Sequence, residues 1–266
     1  MKKYLFIFTL INVLSACGGS SDSAKQITEP LENLEPPVYT ADNIAIPKNS
    51  DKAAYKILII GNSHVSGIEQ QLSTIFATGI SDKTVEIDTR GGLFLDTIVN
   101  DEGIIALIEN KEWTHIILQG QKYSQSQSVL YPIDSTVTWI KRAKAIGATP
   151  VLFPEHPQVG RPNEAEYIHG IHLNIAKEQA SCVAPVGLAW NQALLISPDL
   201  NVYKPDGNHA SELGTLLTSL VLYEVISGEP ADLLPYIEHL PADATTLALF
   251  GQVSSQAIAD NLPCNY

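Results

Sequence analysis

Five short apolar runs, each closed by a glycine or proline turn, alternate along this chain with longer stretches whose apolar residues recur at helical spacing. The runs are residues 55–60, 84–89, 115–119, 149–153 and 182–186; the helical stretches lie at 67–77, 96–109, 132–146, 164–179 and 211–226. Runs this short, most of them with little polar alternation, read as strands buried on both faces, which is the habit of parallel sheets. Strands separated by helices of this length predict βαβ units. The fold class is therefore α/β, three layers of helix, sheet and helix around a five-stranded parallel sheet. In open sheets of this kind sites form at the carboxyl ends of the strands. Ser63, Gly91, Gly92, Gln121 and the loop carrying Asp206 and His209 all fall there, on one predicted rim.

That last loop, Lys204-Pro205-Asp206-Gly207-Asn208-His209-Ala210-Ser211, places a carboxylate and an imidazole three residues apart just before a helical stretch. Together they make a general-base unit that lacks only a nucleophile. Ser63, in Gly61-Asn62-Ser63-His64 directly after the first strand, is the candidate. A serine hydroxyl attacks poorly until a base takes its proton, and the base works best when a third group orients it. The chain order is Ser63, Asp206, His209, whereas the subtilisin and chymotrypsin orders both end in serine. Val65 stands where a Gly-x-Ser-x-Gly elbow needs its second glycine, which disfavours the α/β-hydrolases. The structural alternatives are a helix N-cap for Ser63 and a simple turn for residues 206–209.

These blocks resemble the SGNH, or GDSL-like, hydrolase superfamily. Its pattern has a Gly-Asp-Ser block after the first strand, a glycine after the second, Gly-x-Asn after the third and Asp-x-x-His near the end. Gly61-Asn62-Ser63 resembles the first, Arg90-Gly91-Gly92-Leu93 the second and Asp206-Gly207-Asn208-His209 the last. The resemblance implies a flavodoxin-like SGNH fold with Ser63 as nucleophile, His209 as base and Asp206 as its partner. It also implies an oxyanion hole built from the amides of Ser63 and Gly92, with Gly91 the alternative glycine. Two departures stand out: Asn62 replaces the usual Asp, and the third block reads Leu118-Gln119-Gly120-Gln121. Gln121 is then the expected third oxyanion donor. The implied function is a serine esterase or deacylase acting on a short acyl ester, acetyl first, of a carbohydrate or cell-envelope substrate. No metal or cofactor is required for that chemistry. The alternative is a catalytically decayed module of the same fold that binds a glycan or lipid.

The N-terminus carries its own signal. Lys2 and Lys3 precede an apolar stretch, residues 4–14, too short to span a bilayer. It ends in Leu14-Ser15-Ala16-Cys17, which resembles the lipobox of bacterial lipoproteins. The resemblance implies a signal peptide over residues 1–16 and a lipid anchor at Cys17 in the cell envelope. Gly18, rather than Asp, after the cysteine points to the outer membrane. Residues 17–52, rich in Ser, Glu, Asn and Pro, read as a flexible tether, and residues 53–266 as the hydrolase-like domain with a proline-punctuated C-terminal tail. Disulfides persist outside the cytoplasm, so the remaining cysteines, Cys182 and Cys264, are candidates for a bridge tying that tail down. A formal charge of −13 without any basic cluster argues against a nucleic-acid partner. Glu166, His169 and His172 share a helical face. Without a fourth ligand signal they read as solvated rather than as a metal site. His156, in Pro154-Glu155-His156-Pro157, follows the fourth strand and is a candidate substrate contact.

Overall fold

The computed structural model describes residues 42–266, so the signal peptide, Cys17 and most of the tether fall outside the described residues. Its strands are β1 (Ala54–Ile60), β2 (Thr84–Arg90), β3 (His115–Leu118), β4 (Thr149–Leu152) and β5 (Cys182–Val183). All pair in parallel, in the order β2-β1-β3-β4-β5. The helices are α1 (Ile68–Gly79), α2 (Glu102–Glu109), α3 (Asp134–Ala145), α4 (Asn163–Glu178), α5 (Val186–Ile196), α6 (Glu212–Ser227) and α7 (Ala244–Asp260). Side chains alternate across a strand, so β1 feeds two separate cores. Ile57 and Ile59 pack with α1, α5, α6 and α7, while Leu58 and Ile60 pack with α3, α4 and the side chains around Trp113. The chain leaves β1 for β2 on one side and returns to β3 on the other. The loops after β1 and β3 therefore diverge, and a crevice opens between them.

Several expectations change. The second helix starts at Glu102 rather than at residue 96, because Asp101 caps it by accepting from the Ile104 amide at 3.0 Å. Ile98, inside the expected helix, and Leu95 just before it are buried anchors of the preceding turns. The fifth strand is cut to two residues at Ala184-Pro185, and Val186, expected to end it, instead opens α5. Helix α7 occupies what read as tail: Asp243 accepts from the Thr246 amide at 2.7 Å, and Leu247, Phe250, Val253 and Ala257 face the core. The tether also ends before residue 52. Ile46 is buried, the Asn49 side chain donates to the carbonyls of Thr114 and Gly147 (3.0 Å each), and Asn43 accepts from the Ala180 amide at 2.8 Å. These contacts close the amino edge of the sheet, so residues 43–49 belong to the folded unit. His169 and His172 are buried rather than solvated; Glu166 alone of that trio is exposed.

Cys182 and Cys264 are joined by a disulfide that closes a loop with a sequence separation of 82. Beside it the Val183 amide donates to the Pro263 carbonyl at 2.7 Å, so the tail covers an otherwise open sheet edge. Chain-entropy reasoning gives a cross-link of this span about 4 kcal/mol. Cys264→Ser is therefore expected to unfold at lower urea, with about 2–5 kcal/mol lost. Alkylation of the unfolded parent without reductant should add no mass at either cysteine; two labelled thiols would contradict the bridge.

Candidate active site

The Ser63 turn starts where β1 ends. A Cβ on Gly61 would lie 2.5 Å from Gln119 Oε1, so only glycine lets the chain pass this close to β3. The next three residues, Ser63–Val65, form a single 3-10 turn capped by Asn62, whose Oδ1 accepts from the His64 amide at 2.9 Å. Val65 and His64 point inward and are buried, which leaves the Ser63 hydroxyl at the rim.

The second segment is a tight loop before α6. Tyr203 and Ala210 pair in an isolated antiparallel bridge, and Lys204 N–H donates to His209 O at 2.8 Å. Gly207 sits at φ +67°, a left-handed conformation that glycine adopts without strain. Asp206 Oδ1 accepts from the amides of His209 and Asn208, both at 2.9 Å, and Oδ2 accepts from His209 Nδ1 at 2.7 Å. Backbone N–H donation from His209, then from Asn208, together with the imidazole bond, holds the Asp206 carboxyl well below the usual carboxylate range. With Nδ1 donating to Asp206, Nε2 is left as acceptor, and Ser63 Oγ lies 2.7 Å from it. Ser63, His209 and Asp206 thus form one continuous hydrogen-bonded chain.

A strap after β4 holds this loop in place. Tyr203 Oη donates to Pro157 O (2.9 Å), the Val159 amide donates to Gly207 O (2.9 Å), and Gln158 Nε2 donates to Asn208 Oδ1 (3.1 Å). His156 donates from Nε2 to the Asn208 carbonyl at 2.9 Å while its ring stacks on Trp190, centroids 3.8 Å apart. Burial lowers its pKa to about 3, so it stays a neutral donor. His156 is therefore buried scaffold beneath the loop that carries Asp206 and His209, not the substrate contact expected of it. Gly214, in the first turn of α6, lets the helix approach: a Cβ there would meet Val202 O at 2.2 Å.

The crevice between the β1 and β3 loops is a cleft of 610 Å³ lined by Ser63, Gly92, Phe94, Tyr131, Gln158 and His209, among others. A second lobe of 590 Å³ meets it at Asn62, Ser63, Gly92 and His209 and adds Gly91 to its wall. Gly92 sits at φ +78°, and its amide, like that of Ser63, has no hydrogen-bond partner among the described residues. Both residues line the junction of the lobes, where an oxyanion pair would have to stand. Gln121 is different. It lines the cleft, but its Nε2 donates to the carbonyls of Lys122 (3.0 Å) and Pro132 (3.2 Å), and its Oε1 accepts from Thr136 Oγ1 (2.6 Å). Both N–H groups are spent on the β3–α3 loop, so the third oxyanion donor expected from the sequence is committed to scaffold.

The sequence assigns no role to the group behind Ser63. Gln119 Oε1 accepts from the Asn62 amide and its Nε2 donates to Glu155 Oε2, both at 2.7 Å. Glu155 is buried, and desolvation raises its pKa to about 7 despite hydrogen bonds from Tyr123, Asn62 and Gln119. The only sequence signal for it was position: it follows β4, and so lies on the same rim.

No family model and no curated protein matches the chain. Solved structures do. A protein from Slackia heliotrinireducens described as an SGNH hydrolase superposes with a TM-score of 0.50 at 22% identity, covering 64% of this chain and 98% of its own. A DUF4886 family protein from Bacteroides uniformis reaches a TM-score of 0.58 at 14% identity, covering 80% of this chain and 97% of its own. At these identities the likeness concerns architecture, and it agrees with the strand order and the layers found here. The chain has the fold of the SGNH-like hydrolases.

Proposed function

We propose that this protein is a serine ester hydrolase that removes a short acyl group, acetyl first, from a carbohydrate or cell-envelope substrate, working from a lipid anchor at Cys17 in the outer membrane. The observation that carries the reading is the chain Asp206–His209–Ser63, with two bonds of 2.7 Å. In the reaction Ser63 Oγ attacks the ester carbonyl carbon while His209 Nε2 takes the hydroxyl proton. The carbonyl oxygen, now negative, faces the amides of Ser63 and Gly92. Collapse breaks the bond to the alcohol, which leaves with the proton from His209. Water then attacks the acyl-Ser63 ester with the same base, releasing the acid and restoring the serine. Asp206 keeps Nδ1 protonated throughout and balances the imidazolium.

The cleft supports a small acyl group on a polar alcohol. Its walls mix the rings of Phe94, Tyr123 and Tyr131 with the side chains of Gln125, Gln158 and Asn208. Such a lining pairs with hydroxyls and with the apolar faces of sugar rings better than with a long hydrocarbon chain. The lipobox-like N-terminus supports placement in the envelope.

The test is hydrolysis of p-nitrophenyl acetate by the leaderless domain. Ser63→Ala is expected to lower kcat by about 10⁴-fold or more, and Asp206→Asn by about 10²–10⁴-fold, at constant pH. Equal rates in parent and Ser63→Ala would remove Ser63 from the mechanism. The parent should prefer acetate to octanoate by about tenfold or more in kcat/KM; the reverse order would mark a lipase. Gln121→Leu separates scaffold from catalysis. It is expected to cost about 1–3 kcal/mol of unfolding free energy for its lost hydrogen bonds. Its kcat should fall far less than the roughly 10²–10³-fold of a deleted oxyanion donor; a loss of that size would return Gln121 to the oxyanion hole.

A further inference from the structure

Beneath the Ser63 turn lies a buried carboxylate that the proposed ester hydrolysis does not consume. Glu155 Oε2 accepts from Gln119 Nε2 at 2.7 Å, and Gln119 Oε1 takes the Asn62 amide at 2.7 Å. The Asn62 side chain and the Tyr123 hydroxyl lie beside the same carboxyl group and lower its pKa. Three elements thus converge on one group: the turn after β1 (Asn62), the end of β3 (Gln119) and the loop that follows it (Tyr123). His64 adds a fourth contact. Its Nε2 lies 3.7 Å from Glu155 Oε1, and its ring stacks on that of His209, centroids 5.3 Å apart and 22° between planes. Burial, and then the charge of His209, hold the His64 pKa at about 4, so it meets the carboxylate as a neutral ring.

An ionised carboxyl group only accepts hydrogen bonds, whereas a protonated one must donate. Gln119 Nε2 donates to Glu155 Oε2, and the anion offers an acceptor at either oxygen. From that geometry, and resting on the serine-hydrolase reading above, we infer that Glu155 is a positioning residue for the nucleophile: through Gln119 and Asn62 it sets the direction of the Ser63 amide and hydroxyl, and its ionised form is the competent one. It touches neither the reacting atoms nor the Ser63–His209 bond. Its effect runs through the backbone of Asn62 and through the His64 ring packed on the base.

The charged and titratable groups around it are few. His64 faces it from the Ser63 turn and Tyr123 from the β3–α3 loop; Glu164 acts on it from α4, itself paired with Arg161 at 3.6 Å. His156 packs on the far side of His64, centroids 5.1 Å apart. Desolvation, opposed by Tyr123, Asn62 and Gln119, leaves Glu155 titrating near pH 7. The sign follows: the folded pKa lies above the ordinary value of 4.5, so protonated Glu155 is favoured in the folded state. Activity is lost as the pH falls through about 7, while the fold loses stability as the pH rises from about 4.5 to about 7.

The experiment is a pH–rate series on p-nitrophenyl acetate for the parent, Glu155→Gln, Glu155→Asp and Tyr123→Phe, each checked by thermal unfolding. Glu155→Gln should lower kcat about 10–100-fold with KM within about twofold, and the acidic limb near pH 7 should move. Glu155→Asp should recover part of kcat. Tyr123→Phe removes one donor to the anion and leaves the ring, so the acidic limb should move to higher pH even if Glu155→Gln fails to fold. Unchanged kcat and limb in folded Glu155→Gln, or an unmoved limb in Tyr123→Phe, would overturn the assignment. A rise in KM at constant kcat would instead make Glu155 a substrate contact and would also overturn it. A parent whose rate equals that of Ser63→Ala fails the hydrolase reading itself, which is a separate result.

Discussion

Ser63 and His209 stand 146 residues apart in sequence and 2.7 Å apart in space, and everything proposed for this molecule depends on that contact. Neither group creates it. Parallel strands all end on one edge, so the turn after β1 and the loop before α6 arrive on the same rim once the two cores have packed. The remaining positional freedom is then removed by short-range bonds. Asp206 spends one oxygen on two backbone amides and the other on the imidazole, which fixes both the tautomer and the aim of Nε2.

The supporting architecture is layered from the inside out. Trp190 carries the His156 ring, His156 holds the Asn208 carbonyl, and Asn208 belongs to the loop that presents His209. On the other side of the cleft Gln119 joins the Asn62 amide to Glu155. Each chain includes a buried polar group, His156 or Glu155, whose misplacement would be costly in a low-dielectric interior. That cost favours a single arrangement of the rim over several alternatives.

Much of this was legible in the sequence, for identifiable reasons. Strands buried on both faces are unbroken apolar runs, so β1, β3 and β4 could be placed closely, and the Asp206-x-x-His209 spacing is local. What escaped was set by tertiary context. Helix α5 begins straight after a two-residue strand, and a run of apolar residues there fits either state. Ile98 falls inside the expected helix while serving as a loop anchor. Gln121 stands in register for an oxyanion donor, yet Thr136 and two carbonyls consume its amide. The partners of a side chain cannot be read from its position in the chain. Glu155 makes the same point in reverse: a lone acid after a strand gives no hint of the donors that converge on it.

The account turns on whether Ser63 is the serine made nucleophilic by His209. The most direct measurement is labelling of the leaderless protein with a fluorophosphonate, followed by peptide mass mapping, for the parent and for His209→Ala. The account predicts a single modified serine, Ser63, in the parent and a labelling rate at least about a hundredfold lower in His209→Ala. Modification of a different serine, or labelling of Ser63 at the same rate without His209, would contradict it.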